Sequence, residues 1–107
     1  MQNLRILLQT IERYMNLSPN QKFKSNEFCA HTSIGDKSII LNVQSGQYYE
    51  LNSTSSMIWG LINEGKSIAD TISIVSDQYN IENEVISESV TKFLNSCIEL
   101  NFIQEVE

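Results

Sequence analysis

One histidine, one proline, two cysteines and four glycines are all that this 107-residue chain holds of the residues on which many functional sites depend. Each shortage excludes something. His31 with Cys29 and Cys97, the two cysteines far apart and without a CxxC spacing, cannot assemble a zinc site from the usual ligands. A lone histidine also leaves no Ser-His-Asp or Cys-His set, and scattered carboxylates such as Glu82, Glu84, Glu88 and Glu99 read as solvated helix residues. No glycine-rich phosphate loop occurs, so neither an enzyme nor a cofactor is expected. The apolar run Ile6-Leu7-Leu8 is stopped by Gln9, far short of a signal-peptide core or a membrane span. The expectation is a cytoplasmic protein with two buried, reduced thiols; a disulfide needs their Cα atoms within bonding range.

Positive charge is scarce too. Seven Lys and Arg stand against 13 Asp and Glu, a net charge of −6. The imbalance is uneven: Arg5, Arg13, Lys22 and Lys24 against Glu12 leave residues 1–25 at +3, whereas Lys37, Lys66 and Lys92 leave residues 26–107 at −9. Phosphate neutralisation by Lys and Arg dominates nucleic-acid affinity, so an acidic body does not suit DNA or RNA. The apolar content of 41% is ordinary for a single globular domain, which at this length buries roughly two-thirds of its unfolded surface.

What is present is concentrated in Asp36 to Ile62, DKSIILNVQSGQYYELNSTSSMIWGLI. Ser38 to Val43 alternates, with Ile39, Leu41 and Val43 on one face and Ser38, Ile40 and Asn42 on the other, a period of two that predicts a strand. Gln44-Ser45-Gly46 breaks the pattern with turn chemistry, and Gln47 to Leu51 resumes it, with Tyr49 and Leu51 opposite Tyr48 and Glu50; together they predict a β-hairpin. Asn52-Ser53-Thr54 can cap a helix that carries Met57, Ile58, Leu61 and Ile62 at helical spacing and the only tryptophan, Trp59.

Around this stretch, Phe28 to Ser33 is a candidate first strand. Ser67 and Asp70 form an S-x-x-D capping box for a second helix with Ile68, Ile72, Val75 and Tyr79 on one face, and Ile81 is placed to staple a third. On the third, Ile86, Val90, Phe93 and Cys97 centre the buried stripe, flanked by Leu94, Ile98 and Leu100, before Phe102-Ile103 turns back. The reading is α+β: a three-stranded antiparallel sheet followed by three helices, winged helix-turn-helix-like, as one domain over 26–107. Residues 1–25 read as a separate N-terminal amphipathic helix and linker. Leu4, Leu7, Leu8, Ile11, Tyr14 and Met15 form its apolar stripe, Ser18-Pro19-Asn20 ends it, and Gln21 to Glu27 is the polar linker. That helix packs on its own domain or a symmetry mate, or docks a partner enzyme; two arginines and one glutamate make a weak polar face for a lipid surface.

The aliphatic strand, SGQYYELN and the helix with IWGLI resemble the PqqD family, coenzyme PQQ synthesis protein D and the leader-peptide recognition domains similar to it. The resemblance covers about residues 28–105. It departs at Asn101, where the family usually has glycine; asparagine is the next-best residue for a left-handed helix cap.

The resemblance implies a function: binding the leader segment of a ribosomally made precursor peptide by strand addition, between the third strand and the third helix. The peptide would then pass to a maturation enzyme, either a radical SAM protein or a lasso-peptide leader peptidase and cyclase. On this sequence the strand contribution is Gln47, Tyr48, Tyr49, Glu50 and Leu51. For the helix, Val85, Ser89, Lys92 and Ser96 lie together on one flank of the buried stripe and are more polar than the core; Leu94 and Ile98 on the opposite flank compete for the role. A stand-alone peptide chaperone, monomeric or weakly dimeric, follows. The alternative is a winged-helix transcriptional regulator or a protein–protein adaptor. Against the regulator, a recognition helix beginning Glu82-Asn83-Glu84-Val85-Ile86-Ser87-Glu88 would set three carboxylates against DNA phosphates.

Overall fold

The computed structural model describes residues 17–35 and 37–106. The expected N-terminal helix, apart from Leu17 at its end, lies outside them. The elements run β1 (Lys22–Ser25), β2 (Cys29–Ile34), β3 (Lys37–Asn42), β4 (Tyr48–Leu51), α1 (Ser53–Asn63), α2 (Ile68–Tyr79), α3 (Asn83–Glu99) and β5 (Ile103–Val106). Strands β2, β3 and β4 form an antiparallel sheet in that order, and three helices follow, as expected. Alternation decides which face is buried. Ser38, Ile40 and Asn42 of β3 point inward with Leu51 and the half-buried Tyr49 of β4, whereas Leu41 and Tyr48 stay exposed.

One expectation is overturned. The polar stretch read as a linker, Gln21 to Glu27, contains β1, which pairs antiparallel with β5 from Lys22↔Val106 to Ser25↔Ile103. Its single large apolar residue explains the fold: Phe23 is buried while Lys22 and Lys24 point out. A four-residue strand with one inward side chain leaves no visible alternation in the sequence, and its partner lies at the other end of the chain. Residues 22–25 are thus built into the sheet structure of the domain.

The local signals act as their chemistry requires. Asn52 caps α1 by accepting from the Ser55 N–H at 2.8 Å, and Ser67 Oγ caps α2 by accepting from the Asp70 N–H at 3.1 Å. Both helices α2 and α3 are followed by asparagines in the left-handed region, Asn80 at φ 53° and Asn101 at φ 58°. Asn101 therefore does the work of the glycine it replaces. The hairpin turn is organised by Asn42, whose Oδ1 accepts from the N–H groups of Gln44 and Ser45, while Gly46 takes φ 76°. Ile81, just before α3, is 43% exposed.

The core lies between the inward sheet face and the helices. Ile40 and Leu51 meet Ile58, Trp59 and Ile62 of α1, Val75 of α2, and Ile86, Val90, Phe93, Leu94 and Cys97 of α3, with Phe23, Phe102 and Ile103 closing one end.

Candidate functional site

Among the described residues β4 is an edge strand, with β3 on one side of it and no strand on the other. The phase of its hydrogen bonds follows from the turn. The Asn42 N–H donates to the Gln47 carbonyl at 2.8 Å, and the register pairs Ile40 with Tyr49 and Ser38 with Leu51. In an antiparallel ladder successive residues alternate between bonding the neighbour and facing away. Tyr49 and Leu51 therefore spend their main-chain groups on β3, as does the Gln47 carbonyl, while the Gln47 N–H donates to Ser45 Oγ at 3.2 Å. Tyr48 and Glu50 turn both N–H and C=O toward the open edge. The β2–β3 pairing agrees, since the Val43 N–H donates to the Phe28 carbonyl at 2.9 Å, which assigns the odd-numbered residues of β3 to β2.

The open edge lies beside α3. Tyr49 and Phe93 meet edge-on, with ring centroids 6.3 Å apart and planes at 68°. Aromatic pairs favour this arrangement because the positive ring edge faces the negative ring face. Phe93 is buried and Tyr49 half-buried, so the pair links strand to helix. At about 100° per residue, Phe93 sits on the side of the buried stripe that leads to Val85, Ser89, Lys92 and Ser96. Leu94 sits on the other side and is 1% exposed, with Ile98 half-buried near it.

The flank nearest Phe93 is open to solvent over most of its length. Val85 is 53% exposed, Ser89 and Lys92 are exposed, and Ser96 is half-buried. Ser89 Oγ–H donates back to the Val85 carbonyl at 3.4 Å, and Lys92 pairs with Glu88 at 3.2 Å on the surface. At the strand's far end a shallow polar hollow is lined by Lys37, Tyr49, Glu50, Leu51, Asn52 and Ser55. Lys37 and Glu50 form a 3.7 Å pair at its rim. Such exposed pairs contribute little to stability. The Tyr49–Phe93 contact thus joins β4 to α3, and Val85, Ser89, Lys92 and Ser96 lie on Phe93's side of the buried stripe. Gln47 lies just before the strand, in the exposed turn.

The sequence missed two features. Phe93, read only as core, also reaches β4. The bond that sets the ladder phase is the second; Asn42, with its turn-forming side chain, was the available signal.

Among the described residues no group of three His, Cys, Asp or Glu could hold a metal ion, and no helix is long and apolar enough to cross a membrane. Burial raises the Cys29 thiol above its ordinary range and pushes Cys97 up to about 12, the neighbouring Cys29 adding to the effect. Both are therefore poor nucleophiles at neutral pH. Cys29 Sγ–H donates to the Phe102 carbonyl at 3.2 Å, away from the β4 edge.

Comparison with known proteins gives a consistent picture. The family model described as "Coenzyme PQQ synthesis protein D (PqqD)" matches residues 37–103. Among solved structures, "TbiB1 in Complex with the TbiA(beta) Leader Peptide" superposes with a TM-score of 0.72 at 22% identity, covering 76% of this chain and 94% of that one. "Lasso peptide synthetase B1 complexed with the leader peptide" gives 0.72 at 20% identity, covering 78% and 98%. No curated protein matches the chain.

Proposed function

Because this chain belongs to the PqqD family, we propose that it captures the leader segment of a ribosomally made precursor peptide by strand addition at β4. The observation that carries this reading is the open edge where Tyr48 and Glu50 present unpaired main-chain groups beside α3. An extended peptide placed there would bond to those groups, its inward side chains lying over Tyr49 and Phe93 and against Val85, Ser89, Lys92 and Ser96. Gln47 and Leu51 delimit the length of strand on offer. Both solved neighbours are described as complexes with a leader peptide, which supports the same ligand class here.

The proposal extends to its setting. The protein works as a cytoplasmic peptide chaperone, a monomer or weak homodimer without activity of its own. It presents the peptide to a maturation enzyme, either a lasso-peptide leader peptidase and cyclase or a radical SAM protein. Its three-strand, three-helix order is winged-helix-like, but the acidic start of α3 opposes DNA binding.

Fluorescence polarisation separates the classes. Labelled leader peptides, beginning with that of any short precursor encoded beside this gene, should saturate the protein, and a labelled duplex should not. Duplex binding that falls with salt, without any peptide signal, would sink the proposal.

A further inference from the structure

Given leader capture at β4, on which this rests, we infer that the outer face of that strand selects the leader's sequence. Glu50 reads a lysine or arginine, and Tyr48 reads an aromatic or β-branched residue two positions away. Directly opposed residues of neighbouring strands point to the same face of a sheet, and successive residues alternate between faces. Tyr48 and Glu50, whose main-chain groups face the open edge, carry their side chains on the outer face, away from the core. A paired leader therefore sends every second side chain inward over Tyr49. The others stand beside Tyr48 and Glu50, where the groove along α3 does not reach them.

The outer face is patterned in two rows. The register aligns Ala30, Leu41 and Tyr48 in one and Thr32, Ile39 and Glu50 in the next. A leader residue opposite Tyr48 extends the first row, and one opposite Glu50 extends the second. Tyr48 is 70% exposed and Leu41 36%. These two exchange no main-chain bonds, the pairing that brings cross-strand side chains closest. An aromatic or β-branched residue on the free side of the Tyr48 ring completes that row, since such cross-strand pairs are favourable.

Glu50 sets the chemistry of the second row. Its carboxylate meets Lys37 Nζ at 3.7 Å, with both side chains more than half exposed. A pair of this kind is loosely held, and the carboxylate keeps lone pairs for a second cation. Lys37 belongs to β3, a strand that lies roughly 5 Å farther from the leader than β4. The charge that a leader residue meets first is therefore negative. Residues 26–107 reinforce that sign with three lysines against twelve carboxylates, an excess that draws a cationic segment and repels an acidic one.

A charge scan of the fluorescein-labelled leader of a short precursor encoded beside this gene tests the inference by fluorescence polarisation at low salt. Lysine and glutamate are placed in turn at each leader position and titrated against the parent protein, Glu50→Gln and Glu50→Lys. On the parent, one position should prefer lysine to glutamate by about threefold or more. That preference should vanish on Glu50→Gln and invert on Glu50→Lys. Two positions away, serine in place of the leader's own residue should weaken binding to the parent, and weaken it less on Tyr48→Ser. Circular dichroism confirms that each variant is folded. N-methylation of the leader amides in turn separates the two readings. A leader with alternating N-methyl sensitivity, but with no position whose charge preference follows residue 50, would overturn the inference and leave strand addition standing. A leader that binds without alternation, or not at all, removes strand addition and the inference with it.

Discussion

Tyr49 on β4 and Phe93 on α3 meet edge to face with 6.3 Å between ring centroids, and this contact couples the open strand to the helix beside it. The two rings differ in what their loss should do. Phe93→Ala removes a side chain at 6% exposure and should destabilise the fold by about 3–5 kcal/mol, read by urea denaturation. Tyr49→Phe keeps the ring contact and should leave stability within about 1 kcal/mol of the parent.

The ladder phase makes proline a directional probe. Tyr49 donates its N–H to β3, so Tyr49→Pro should break the hairpin and show as lost stability. Glu50 turns its N–H to the open edge, where proline is tolerated in a strand. Glu50→Pro should keep the folded circular dichroism spectrum and weaken leader binding severalfold. Equal stability losses in both variants would show that the phase is misassigned.

Lys92 tests the helix side of the groove. It is exposed and, among the described residues, pairs only with Glu88 on the surface, so Lys92→Glu should leave the denaturation midpoint nearly unchanged. If the flank contacts the peptide, affinity falls; unchanged affinity would move the contact away from this flank.

The thiols give a pH prediction. Cys97 holds its proton up to about 12 in the folded chain against a reference of 9.0. Above pH 9 the unfolded state releases this proton first, so stability must fall as pH rises from about 9 to 12. Below pH 9 this group contributes no slope. Denaturant titrations at pH 8, 9.5 and 10.5 should show the decline, and Cys97→Ala should flatten it.

Thr71 is fully buried and its hydroxyl has no hydrogen-bond partner among the described residues. Thr71→Val should therefore hold or raise stability, by about 1 kcal/mol at most, because it removes a desolvated polar group without changing shape. A loss above that would reveal a partner for the hydroxyl.

Much of this was legible in the residues. Asn52, Ser67 and Gly46 announced caps and a turn that the structure places where expected, since each satisfies backbone groups within a few positions. Alternation from Ser38 to Leu51 gave the hairpin and its two faces. β1 was hidden because its partner is some eighty residues away and Phe23 is its only inward side chain. The ladder phase was hidden too: side-chain alternation tells faces apart but not which main-chain groups remain free. Phe93 was legible as core but not as the neighbour of Tyr49, a relation set by tertiary packing alone.

The most direct test of strand addition is a scan of the bound leader with single N-methylated amides, each removing one main-chain donor while keeping the side chain. With Tyr48 and Glu50 as the bonding residues, affinity should fall at every second leader position across the β4 contact and hold at the positions between. Uniform losses, or none, from a peptide that still binds would contradict pairing with β4 and place its recognition in side chains alone.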